Sequence, residues 1–174
     1  MKTPYRPPRE LLAEVEQILA RRYRPSDPSP LEATAALLQE GRHYSSVSIS
    51  LVVGEHAERQ VSHSSVPPGS ETRTELAQSE LSQPIKLVGR VLGVLDVESD
   101  RADAFSQEDR VLLKEVASRL ARFLSGRGKY LVRKAREAAA ARAAGSAENP
   151  ERHQPASERG AGPRAAAAGE KSRS

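Results

Sequence analysis

The stretch Gly89-Arg90-Val91-Leu92-Gly93-Val94-Leu95-Asp96-Val97-Glu98-Ser99-Asp100 decides the fold. Val91, Leu92, Val94, Leu95 and Val97 place apolar side chains on both faces of one extended run. A strand of that kind belongs in the interior of a sheet, with structure above and below it. Val88-Gly89 reads as a two-residue hairpin turn. Residues 81–87 then form the partner strand, and Pro84 confines that strand to an edge or marks a bulge.

Upstream, residues 46–53 form the clearest strand. Val47, Ile49, Leu51 and Val53 alternate with Ser46, Ser48 and Ser50. One buried and one polar face fit an antiparallel sheet. Gly54-Glu55-His56 reads as the following turn and residues 59–65 as a weaker second strand, while 66–70 is a loop and 71–80 is ambiguous between a short helix and a strand lead-in. Helices flank these strands. Leu11, Leu12, Val15, Ile18 and Leu19 repeat at helical spacing over 8–23, behind Pro7 and Pro8. In the second helix Ser29 caps, Pro30 takes the first helical position, Glu32 reaches back, and Gly41 ends it. Ser106 caps the next helix with Asp109 three residues on, and Leu113, Val116, Ala117, Leu120 and Leu124 supply its apolar stripe. After Ser125-Gly126-Arg127-Gly128 a basic, alanine-rich helix runs to about Ala144. Together these elements predict an α+β fold built on an antiparallel sheet.

Beyond Val132 the chain has no Leu, Ile, Val, Phe, Tyr, Met or Trp, so its end cannot build a core. The expected division is a disordered N-terminus over 1–8, one domain over 9–130, a basic helical extension over 131–144 and a disordered tail over 145–174. The 174 residues include no cysteine, which excludes disulfides, thiolate metal sites and cysteine nucleophiles. A polar, proline-rich N-terminus is no secretory signal and no long apolar run could span a membrane, so a cytoplasmic location is expected. His43, His56, His63 and His153 lack metal-site spacing, no serine sits in a nucleophile motif, and nothing calls for a cofactor. The net charge is +4 and lies to one side: residues 119–142 hold eight Lys or Arg against Glu137. That stretch reads as a solvated helix face or as the contact for an anionic partner.

The segments Ser79-Glu80-Leu81-Ser82-Gln83-Pro84-Ile85, Gly89 to Asp100 and Ala104-Phe105-Ser106-Gln107-Glu108-Asp109 resemble the C-terminal half of a GAF domain, and residues 31–53 resemble that family's first helix and strand. The resemblance implies a PAS-like, six-stranded antiparallel sheet with terminal helices on one face and a small ligand on the other, in signalling proteins that often dimerise through those helices. The branch most similar is the free methionine-(R)-sulfoxide reductases, whose chemistry needs cysteines that this chain lacks. A regulatory or small-ligand-binding module follows as the expected function, with no catalysis. The alternative is a ligand-free interaction protein that meets an anionic partner through its basic helix. The expected ligand residues are Leu92, Val94, Asp96 and Glu98, with Glu80 added by the family motif. A simple register from Val88-Gly89 sets Leu81 opposite Asp96 and turns Glu80 to the other face. A bulge at Pro84 would bring Glu80 back. Gly93 is expected to allow close packing against Pro84.

Overall fold

In a computed structural model of the chain, the described residues are 5–22, 27–42, 44–53, 56–64 and 78–147, with side chains undescribed at 56–64, 143 and 145–147. The elements follow as α1 (Pro8–Ala20), α2 (Pro30–Arg42), β1 (Ser46–Val53), β2 (His56–Ser64), β3 (Ser79–Leu87), β4 (Arg90–Ser99), α3 (Gln107–Ser125) and α4 (Lys129–Ala147). The fold is α+β. Residues 65–77, which include the loop and most of the ambiguous stretch, and the tail from 148 onward lie outside the described residues.

Among the described residues the sheet has four strands in the order β2-β1-β4-β3, all antiparallel, where the resemblance implies six. β4 lies inside the sheet, as its two apolar faces predict, and β3 is the edge strand that tolerates Pro84. Val47, Ile49 and Leu51 of β1, Leu95 and Val97 of β4, and Ile85 of β3 are fully buried under the helices. Leu112, Leu113, Val116, Leu120 and Leu124 of α3 fill the other side of that core. α1 contributes Leu11, Val15 and Leu19, packed against α2 and α3. Ala135 is buried and Leu131 and Val132 pack on the core, so α4 begins as part of the same hydrophobic unit.

The capping signals operate as the residues dictate. Ser29 N–H donates to Glu32 Oε2 at 3.3 Å and Glu32 N–H to Ser29 Oγ at 3.1 Å. The Ser106–Asp109 capping box is likewise complete. Four expectations change. α1 stops at Ala20 instead of residue 23, because Arg21 takes extended backbone. Gly41 does not end α2; it lies inside that helix, where an added Cβ would come 2.6 Å from Leu11 Cδ2. It is the site at which α1 and α2 approach. The N-terminal stretch expected to be disordered is tied down from Tyr5, and Arg6 N–H donates to the Gly41 carbonyl at 2.9 Å. Gly93 makes its close approach to β1, not Pro84: its Cβ would lie 2.3 Å from the Ser50 carbonyl oxygen.

Candidate functional site

The β3–β4 hairpin sets the geometry of the candidate site. Val88 and Gly89 both take positive φ, 48° and 75°, as a tight primed turn requires. Leu87 pairs with Arg90 and Lys86 with Val91, but Ile85 pairs with Gly93. Leu92 is therefore an extra residue on β4, and the bulge sits one step beyond Pro84. It reverses the parity of everything toward the sheet's far end. Glu80 lies directly opposite Glu98, and Ser82 directly opposite Asp96.

On the other side of β4, Asp96 pairs with Ser48 and Glu98 with Ser46 of β1. The face turned away from the α1–α3 core thus carries two rows, Glu80–Glu98–Ser46 and Ser82–Asp96–Ser48. Ser82 Oγ–H donates to Asp96 Oδ1 at 2.6 Å and orients that carboxylate. Glu80 is exposed while Asp96 and Glu98 are half-buried. Among the described residues neither glutamate carboxylate has an ion-pair or hydrogen-bond partner. Like charges directly opposite each other on adjacent strands repel. The serine side of β1 is also not the wet face that alternation suggests: Ser46, Ser48 and Ser50 are only 3%, 4% and 8% exposed.

Of the predicted residues, the structure brings Glu80, Asp96 and Glu98 together, with Val94 next along the same face. Leu92 is apart. It lies six residues from Glu98, about 20 Å at strand rise. With Val52, Val91 and Val132 it lines a separate cleft of about 390 Å³ beside α4, rimmed by Arg90 and Arg136. Among the described residues no group of three or more acids or histidines is arranged to hold a metal; His43 and His153 lie outside those residues.

A second polar cluster has no counterpart in the sequence reading. Arg42 and Asp109 form an ion pair at 2.6 Å, and each side chain is 1% exposed. Asp109 Oδ1 accepts from Arg42 Nε and Nη2, from Tyr44 Oη at 2.8 Å and from Tyr5 Oη at 3.0 Å. Its Oδ2 accepts from the Ser106 N–H and hydroxyl. Arg42 also donates to Glu108 and to the Arg6 carbonyl, and its guanidinium carbon lies 3.8 Å from the Tyr5 ring centroid. Burial alone would raise the Asp109 carboxyl, but hydrogen bonds from Ser106, Arg42 and Tyr44 outweigh it and hold the pKa at about 2. Burial first, then Asp109, pushes Tyr5 up to about 12 and Tyr44 higher still. Each nitrogen of the Arg42 guanidinium has a partner, so the cluster ties the N-terminal segment, the end of α2, the entry to β1 and the start of α3 into one joint. The partners are far apart in sequence, which leaves no local pattern from which to read it.

The terminal helices bury their stripes within the chain, and Arg119 joins α1 to α3 through Glu16 at 2.8 Å. The basic stretch 119–142 is interleaved with two rings, Phe123 and Tyr130. No helix among the described residues is long and apolar enough to cross a membrane.

No family model matches the chain, and no curated protein matches it. Solved structures do. Free methionine-R-sulfoxide reductase from Neisseria meningitidis, solved in complex with its substrate, is 21% identical with a TM-score of 0.56, covering 68% of this chain and 88% of its own. The GAF domain of a phosphoenolpyruvate-protein phosphotransferase from Coxiella burnetii is 16% identical with a TM-score of 0.57, over 71% and 96%. A GAF domain from A. aeolicus, in an inactive state, is 16% identical with a TM-score of 0.56, over 69% and 96%. What these proteins share with the chain is the arrangement of helices and antiparallel strands, and that arrangement is the GAF-domain fold.

Proposed function

We propose that the chain is a non-catalytic regulatory module that binds a small cationic ligand, such as a primary amine or an amino acid through its ammonium group. The observation that carries this reading is the bulge at Leu92, which sets Glu80 opposite Glu98 beside Asp96. Two facing carboxylates without a counter-ion repel each other, and an ammonium between them removes that repulsion while donating hydrogen bonds to both. Ser46 and Ser48 add hydroxyls alongside, and Val94 offers an apolar wall for the rest of the ligand. The absence of cysteine removes the thiolate attack on a sulfoxide sulfur that the reductase branch requires. Recognition without turnover is what the remaining groups support. The Neisseria reductase, of the same fold, holds its substrate.

The test is a thermal-shift series on the full chain with amine-bearing metabolites, each beside an analogue that lacks the amine. A ligand at a hundred times its Kd stabilises the folded state by about 2.7 kcal/mol. The expected result is a raised Tm with an amine and none with its amine-free partner, abolished in Glu98→Gln. The same variant melts higher than the parent without ligand, because one of two repelling charges is gone. Shifts that ignore the amine, or that survive Glu98→Gln, refute the assignment.

A further inference from the structure

The C-terminal ends of α1 and α3 meet at a groove remote from the carboxylate face. It has a volume of about 410 Å³ and an apolar floor from Leu19, Ala20 and Phe123. A second hollow of about 240 Å³ shares Phe123 and Arg127 with it and adds Arg21, Arg22 and Tyr130. Phe123 and Arg127 line both of these neighbouring lobes. The turn between α3 and α4 holds that ring in place: an added Cβ on Gly128 would come 2.6 Å from Phe123 Cε1, so the ring lies directly over the glycine.

The charges here are one-sided. Arg119, Arg122 and Arg127 line the first lobe with a single carboxylate, Glu16, and that carboxylate is already paired with Arg119. Arg21, Arg22, Arg122 and Arg127 are exposed and make no ion pair among the described residues. Two helix C-termini converge at the groove, which accounts for one or two basic residues through the helix dipole. Four guanidinium groups with no carboxylate partner among the described residues exceed that need. Arginine recognises phosphate in a fork geometry, and aromatic rings set among arginines give bases a surface to stack on. Tyr130 is 42% exposed beside Arg21, Arg22 and Arg127. Beyond the groove, α4 carries Lys129 and Lys134 exposed along its next turns, which continues the positive track.

We propose that this groove binds single-stranded nucleic acid, with Arg21, Arg22, Arg122 and Arg127 on the phosphates and Tyr130, which lines the same hollow as Phe123, stacking a base. A membrane surface fits less well, because stable attachment needs an inserted apolar face beside the charges. The other large hydrophobic side chains exposed among the described residues, Tyr5, Val88, Val91 and Val111, lie on the N-terminal segment, on the hairpin and on the first turns of α3. An acidic peptide would engage the arginines and leave the rings unused.

The test is fluorescence anisotropy of a fluorescein-labelled oligouridylate of about 12 nucleotides, a length within the site sizes such grooves cover, with the full chain across a salt series. Four phosphate contacts on a single strand give a log–log salt slope of roughly −3. The double variant Arg22→Gln/Arg127→Gln is expected to reduce that slope by about 1.4. Tyr130→Ala is expected to weaken binding roughly five- to a hundredfold with the slope nearly unchanged, a separation that bulk charge attraction cannot produce. All three side chains are exposed, and an unchanged thermal melt verifies the fold of each variant. No binding at low salt overturns the proposal. So does binding that Tyr130→Ala leaves intact, as does tighter association with phosphatidylserine vesicles or polyglutamate than with the oligonucleotide.

Discussion

Asp109→Asn is the substitution that the structure makes most informative. The side chain keeps its shape and loses its charge. Arg42 is then left 1% exposed with only Glu108, itself 58% exposed, as a charged partner at 3.1 Å. Breaking a buried pair by removing one member costs about 3–5 kcal/mol, because the surviving charge stays desolvated. For an ordered body of this size that is a fall in Tm of about 10–20 °C. Circular dichroism melts of the full chain measure it. The double variant Arg42→Met/Asp109→Leu is expected to lose much less than the two single variants combined, since nothing charged is left behind in the interior.

The same carboxylate gives an acid signature. Its folded pKa of about 2 lies below the ordinary 3.8. The unfolded chain therefore takes up the proton first as pH falls. The stability contributed is fully present above about pH 5 and is lost as pH drops through 3.8 toward 2. The shift corresponds to about 2 kcal/mol, smaller than the cost of the substitution, because a protonated carboxyl brings one donor proton into a cluster of donors whereas the asparagine amide brings two. Melts at pH 7 and pH 3 should show the parent losing about half of that increment, about 1 kcal/mol, and Asp109→Asn losing none of it, since it has no carboxyl to titrate at that position. An Asp109→Asn protein that melts within about 2 °C of the parent, with the same acid limb, refutes the view that this carboxylate holds the joint together.

Three further changes test the fold. Val88 is a β-branched residue at φ 48° and 98% exposed, so Val88→Asn relieves backbone strain with nothing to lose in packing, and a gain of about 1 kcal/mol is expected in urea unfolding. Gly93→Ala puts a methyl group 2.3 Å from the Ser50 carbonyl oxygen, which only a shift of β1 from β4 can relieve; a loss of about 2–3 kcal/mol or more is expected from the same assay. Ser29→Ala removes one half of the reciprocal cap on α2 and is expected to cost about 1 kcal/mol, seen as a few degrees in Tm.

What could be read from the residues and what could not divide along physical lines. Strands β1 and β4, the hairpin turn and both capping boxes come from signals confined to ten residues or fewer, where side-chain periodicity and backbone demand coincide. The bulge was foreseeable as a need, because Glu80 could join Asp96 only if the parity changed, but its place was not. Proline drew attention to Pro84, whereas the extra residue is Leu92 on the partner strand, beside the glycine at which β4 comes closest to β1. The Arg42–Asp109 joint was illegible for a different reason. Asp109 already had a sufficient role as the third residue of a capped helix, and nothing local indicates that its second oxygen faces an arginine 67 positions away. The serines of β1 show the limit most plainly. Ser46, Ser48 and Ser50 alternate with valine, isoleucine and leucine as a wet face would, yet they are nearly as buried as the apolar residues between them. Serine is small and can satisfy its hydroxyl locally, so it tolerates both environments. Alternation tells which residues share a face of a strand; it does not tell whether that face meets water. That question decides whether Glu98 and Asp96 stand on a surface or in a site.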